Sequence, residues 1–96
     1  MKIMVKAYFD IKKAMEDKNV VEIEKETPTI KDILDYLSNR FGKALTDLIF
    51  DADTKELAGH ISLFVNGHIY LTLPKKLDTP LRDGDEISLF PPIAGG

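Results

Sequence analysis

The chain has 96 residues, 44% of them hydrophobic and 30% charged, with a formal net charge of -3 and no cysteine. That length holds one domain around one modest core, and the composition is that of a soluble globular protein rather than a disordered or membrane one. Disulfides, thiolate metal sites and a cysteine nucleophile are excluded, which fits a cytoplasmic setting; no basic stripe is available for nucleic-acid phosphates, and no apolar run approaches the roughly 20 residues that cross a membrane.

Met1-Lys2-Ile3-Met4-Val5-Lys6 has lysines between its apolar positions and no small-residue cleavage site, so it reads as a strand and not as a secretory signal. The alternation predicts a half-buried strand from Ile3 to Phe9, with Ile3, Val5, Ala7 and Phe9 on one side and Met4, Lys6 and Tyr8 on the other. Asp10 to Asp17 is expected to be a loop with one helical turn. Asn19 to Lys25, with Val20, Val21 and Ile23, is rich in β-branched residues and predicts a second strand, the hairpin partner of the first.

Thr29 is an expected helix N-cap, with Asp32 three residues on, where a carboxylate meets free amides and the positive end of the helix dipole. Ile30, Ile33, Leu34, Leu37 and Phe41 form one apolar helical face, and Gly42 ends it. Leu45, Leu48, Ile49 and Phe50 predict a second short helix or turn, followed by a polar loop over Asp51-Ala52-Asp53-Thr54-Lys55. Ile61 to Val65 is a strand, Asn66-Gly67 a tight hairpin turn, and Ile69-Tyr70-Leu71 the return. After a turn from Pro80 to Glu86, the last strand is Ile87 to Phe90, with Ile87 and Leu89 inward and Ser88 and Phe90 outward. Hairpin, helix and further strands suit an α+β fold, a β-grasp whose mixed sheet wraps around one main helix. A ferredoxin-like order would differ only in the second helix.

The chain changes character at Phe90-Pro91-Pro92-Ile93-Ala94-Gly95-Gly96. Two prolines deny donors to a neighbouring strand and hold the backbone extended. Residues 1–90 are therefore expected to be the domain and 91–96 a flexible tail reaching at most about 20 Å. Gly95 and Gly96 have no Cβ, so the chain end is thin enough to thread a narrow slot. A terminal glycine carboxylate is a poor acyl donor, but adenylation with ATP gives it a leaving group, and a sulfur nucleophile then yields a thiocarboxylate. A terminal Gly-Gly by chance is expected on the order of once in 200 chains, so its place after Phe-Pro-Pro carries the inference. On this reading Gly96 is the reacting group, Gly95 its slim neighbour, and Pro91, Pro92, Ile93 and Ala94 the part gripped by a partner.

Leu81 to Gly96, with its Asp83-Gly84-Asp85-Glu86 turn and Phe90-Pro91-Pro92-Ile93-Ala94-Gly95-Gly96 end, closely resembles the C-terminus of the MoaD family, the small subunit of molybdopterin synthase. Phe64-Val65-Asn66-Gly67 is similar to that family's central hairpin. The resemblance implies a β-grasp carrier with no bound cofactor, whose Gly96 is activated with ATP by a MoeB-type, E1-like adenylyltransferase. A sulfurtransferase system supplies sulfur, and the tail enters a MoaE-like large subunit, in a heterotetramer, to donate it to a pyranopterin precursor. Thiazole-synthesis carriers share the fold and the Gly-Gly end, and ubiquitin-like modifiers join the same glycine to lysines, so these alternatives stay open. A further one is a docking module in which Gly96 does no chemistry.

Outward apolar residues Phe90, Phe64 and Ile69 are candidates for partner contact, unless the segment from Phe50 to His60 covers them. His60 and His68 read as surface or hydrogen-bonded residues rather than metal ligands, and Asp51 and Asp53 lack the further ligands of a cation loop. Asp83, Asp85 and Glu86 read as turn-forming, with contact to basic residues of an activating enzyme as the alternative. No nucleophile–base pair is visible, so no enzymatic activity of the chain's own is expected.

Overall fold

In the computed structural model, which describes residues 1–54 and 56–92, the alternating N-terminal segment forms β1 (Lys2–Ala7), with Ile3, Val5 and Ala7 buried. β2 (Val21–Glu24) returns antiparallel to it, Val5 opposite Val21 and Ile3 opposite Ile23. β3 (Ser62–Val65), β4 (His68–Ile69) and β5 (Glu86–Phe90) complete a five-stranded sheet in the order β2-β1-β5-β3-β4. β1 and β5 run parallel at its centre, while β3 is antiparallel to both β5 and β4. The main helix, α2 (Ile30–Phe41), contributes Ile30, Ile33, Leu34 and Leu37 to a core shared with the inward residues of the strands. This is the β-grasp arrangement the element order implied.

The start of α2 follows from its sequence. The Thr29 hydroxyl accepts from Asp32 N–H at 3.2 Å, and the Asp32 carboxylate accepts from Thr29 N–H at 3.0 Å, a reciprocal capping box. At the other end, Gly42 takes φ +80, its N–H donates to Ser38 O at 2.9 Å, and its own carbonyl accepts from Thr46 N–H at 3.1 Å. One residue thus closes α2 and opens α3 (Lys43–Ile49), a turn in which glycine avoids the strain a side chain brings.

Four local readings change. Phe9 does not extend the first strand: its φ of +56 turns the chain into α1 (Phe9–Ala14) and leaves the side chain 66% exposed. α1 replaces the expected loop because Ile11, Ala14 and Met15 stand at helical spacing; Ile11 and Met15 are fully buried and Ala14 packs against the core. The strand after the second hairpin stops at Ile69, because Tyr70–Thr72 coils into a 3-10 turn in which the Thr72 hydroxyl donates to Ile69 O at 2.8 Å. Val20 is likewise exposed, just outside β2.

The Asn66-Gly67 turn has positive φ at both positions, +50 and +87, and joins the last strand through side chains as well. Asn66 Oδ1 accepts from Glu86 N–H at 3.0 Å, and Asn66 Nδ2 donates to Asp85 Oδ1 at 3.0 Å. Asp85 Oδ2 accepts from Arg82 N–H at 2.8 Å, and Asp83 Oδ1 accepts from Lys2 N–H at 2.7 Å. These two carboxylates hold the 80–86 turn against β1 and the hairpin, the turn-forming role their spacing suggested.

The cap supplies a direct test. Thr29→Ala removes one half of the capping box and should lower stability to urea by about 1 kcal/mol. The hydrogen bond from the Thr29 backbone holds the Asp32 carboxyl below its ordinary value. A depressed acid stabilises the fold above the unfolded-state value of about 3.9 and loses that contribution as pH falls through the lower folded-state value. The gap between wild type and Asp32→Asn in urea midpoints should therefore narrow below about pH 4.

Candidate functional site: the root of the C-terminal tail

The site is assembled where β5 ends. Pairing of Ala7 with Leu89 carries β1 alongside β5 and places Tyr8 beside Phe90 on the outward face. Pairing of Phe64 with Ser88 sets Phe64 diagonally from Phe90 on the same face, within reach of an aromatic side chain. The Tyr8 and Phe90 rings stack with centroids 4.4 Å apart and planes 1° from parallel. Phe64 meets Phe90 edge-on at 5.6 Å and 90°. Ile69 lies opposite Phe64 across the hairpin, half-buried like both phenylalanines.

The structure therefore brings Phe90 and Phe64, set outward by alternation, together with Ile69, just beyond the hairpin turn, on one outward patch. The rings around Phe90 come from β3 and the residue after β1, whereas Phe50 to His60 bridges back on itself through Phe50 and Leu57. Tyr8 belongs to the patch and was missed, although its alternation already set it outward. Only the parallel pairing of the two distant chain ends reveals its partner.

Immediately beyond Phe90, Pro91 is half-buried and Pro92 exposed. Together with Phe9, Asp10, Ile11, Leu48, His60 and Ile61 they line a cavity of about 410 Å³. Ile93, Ala94, Gly95 and Gly96 lie outside the described residues. His60 and His68 are both exposed, and among the described residues no three His, Asp or Glu gather as a metal site would need. Backbone N–H groups of Thr54 and Asp53 donate to Asp51 Oδ1 at 3.1 and 2.8 Å. Those bonds, with a smaller contribution from His60, hold the Asp51 carboxyl below its ordinary value. Asp51 closes its own loop.

The five-stranded β-grasp around one main helix places the chain in the ubiquitin-like fold class. Residues 7–96 match the model of the ThiS family. The chain belongs to the ThiS family of ubiquitin-like sulfur carriers. It is 37% identical over 76 residues, 79% of this chain and 83% of the other, to a protein of Archaeoglobus fulgidus named as a sulfur carrier. It is 27% identical to small archaeal modifier protein 3 of Haloferax volcanii over the full length of both. The crystal structure of SAMP1 from Haloferax volcanii superposes with a TM-score of 0.82 at 29% identity, covering all of both chains.

The ring stack yields a measurable coupling. In a double-mutant cycle of Tyr8→Ala and Phe90→Ala, urea unfolding should give an interaction energy of about 1 kcal/mol, while the pair Tyr8→Ala and Leu37→Ala should add within error.

Proposed function

We propose that this chain carries sulfur on Gly96 as the small subunit of a molybdopterin synthase. The observation that carries the reading is the fixed tail root: Phe90, held between Tyr8 and Phe64, ends the sheet directly before Pro91 and Pro92. A partner that docks on the patch meets Pro91 and Pro92 directly beside it. Membership of the ThiS family supports the carrier chemistry, and the Phe-Pro-Pro lead to the tail supports the molybdopterin branch.

In this cycle the Gly96 carboxylate attacks the α-phosphorus of ATP on an E1-like enzyme, releasing pyrophosphate and forming an acyl-adenylate. Hydrosulfide supplied by a sulfurtransferase system attacks the carbonyl, AMP leaves and a proton is lost to solvent, so that the terminus becomes a thiocarboxylate. A MoaE-like large subunit then receives the tail and the sulfur passes to a pterin precursor. The chain acts as co-substrate and supplies no catalytic side chain.

The full-length likeness to small archaeal modifier protein 3 favours a second reading, in which activated Gly96 is joined to lysines of other proteins. One experiment addresses both. The chain is incubated with ATP, an E1-like enzyme of its own organism and a sulfur source, and read by intact-protein mass spectrometry beside a variant lacking Gly96. A gain equal to exchange of one oxygen for sulfur, absent from the variant, is the expected result. No gain, with the enzyme competent on another carrier, overturns the carrier reading. With a lysine-bearing acceptor protein present, isopeptide adducts in place of sulfur transfer to the pterin precursor would move the assignment to the modifier.

A further inference from the structure

The cavity at the tail root is not explained by sulfur transfer from Gly96, and its lining is chemically uneven. Ile11 and Ile61 are buried and Leu48 is half-buried, giving an apolar floor; Pro91 and Pro92 form the side from which the tail departs. The exposed lining residues are Phe9, Asp10 and His60. Asp10 has no ion-pair partner among the described residues, whereas Lys2, Lys6 and Lys43 are each paired with an acid elsewhere.

Phe9 makes the arrangement costly. Its φ of +56 is a left-handed conformation that a bulky residue adopts against strain, of order 1–3 kcal/mol. The ring gains little burial in return, being 66% exposed. Among the described non-glycine residues at positive φ, which also include Glu16, Asp17, Thr27, Asn66 and Lys76, Phe9 is the aromatic one, and packing does not account for its exposed ring. Pro91 and Pro92, the two residues that precede 93–96 in the sequence, are part of the cavity wall.

We propose that the cavity formed by Phe9, Asp10, Ile11, Leu48, Ile61 and the two tail-root prolines binds an arginine side chain of the protein that receives the tail. The proposal rests on the carrier reading for the identity of that protein. An arginine matches three parts of the lining, the apolar floor, Asp10 and Phe9, with His60 at the rim. Its aliphatic stem lies on the apolar floor, its guanidinium pairs with Asp10, and the same planar cation stacks on the exposed face of Phe9. Lysine offers charge without the plane, and a purely apolar side chain leaves the carboxylate desolvated and unpaired. The cavity is thus a second anchor beside the Tyr8–Phe90–Phe64 patch. It adjoins Pro91 and Pro92, which lead to residues 93–96 in the sequence.

The test uses the full ¹⁵N-labelled chain and needs no activating enzyme, so its failure is separate from failure of the chemistry at Gly96. The probe is the capped tripeptide acetyl-Gly-Arg-Gly-amide, titrated at pH 7 and followed by amide chemical shifts. The corresponding Lys and Leu tripeptides are titrated in parallel. The expected result is saturable shifts at Phe9, Asp10, Ile11, Leu48 and Ile61, with arginine binding tighter than lysine and leucine not saturating. Asp10→Asn and Phe9→Leu should each weaken the arginine peptide by about threefold, with the remaining spectrum unchanged. No saturable shift at these residues, equal binding of the leucine peptide, or binding indifferent to Asp10→Asn overturns the proposal. So would shifts at the same amides that grow with protein concentration alone, which would assign the cavity to a second copy of the chain.

Discussion

The parallel pairing of β1 with β5 is the constraint on which both fold and site depend. It joins the first strand of the chain to the last, with Met4 opposite Glu86 and Ala7 opposite Leu89. Parallel neighbours cannot be joined by a tight turn, so everything between them must form the crossover. Here that crossover contains the second strand, both helices after it and the β3–β4 hairpin. Ile3, Val5, Ala7, Ile87 and Leu89 are buried in consequence. The side-chain hydrogen bonds from Asp83, Asp85 and Asn66 reinforce the same closure at the opposite end of β5 from the tail. Exposed ion pairs across the outward face, such as Lys6 with Glu86 at 3.5 Å, add little by comparison.

The same pairing builds the outward aromatic patch. Tyr8 follows β1 and Phe90 ends β5, so their stack exists only because the strands run in one direction and in this register. A slip of one residue would turn Phe90 inward and Leu89 outward. Phe9 and Asp10 then reach the tail root because α1 begins where β1 stops. Core formation and presentation of the tail are one event in this fold.

Much of this was legible from local pattern. Period-two alternation marked the inward and outward residues of β1 and β5, and Thr29 with Asp32 marked the start of α2. Asn66-Gly67 marked its turn, and Phe90, Phe64 and Ile69 were placed on the correct face. What escaped was long-range or conformational. Phe9 continues the alternation perfectly well in letters; only its positive φ removes it from the strand. Tyr8 looked like an ordinary outward residue because its partner is Phe90, at the other end of the chain. The cavity could not be read at all, since its lining comes from four separated stretches, 9–11, Leu48, 60–61 and 91–92.

On the carrier reading, the energetics explain why the surface around the tail is so elaborate. Fixing a residue's backbone costs about 1–2 kcal/mol, and glycine lies at the costly end. Threading Ile93, Ala94, Gly95 and Gly96 into a slot therefore costs several kcal/mol, and two glycines bring no side chains to recover it. Pro91 and Pro92 lower the cost at the root, because their φ is already fixed. The remaining cost must be offset by contacts that are rigid before the partner arrives. In that reading the Tyr8–Phe90–Phe64 stack is a candidate for such contacts, since its rings are already packed on one another at the end of the sheet. A tail kept slim for chemistry at its end requires its affinity to be built into the body behind it. That division places the reacting group and the binding surface in different parts of the chain, joined by two prolines.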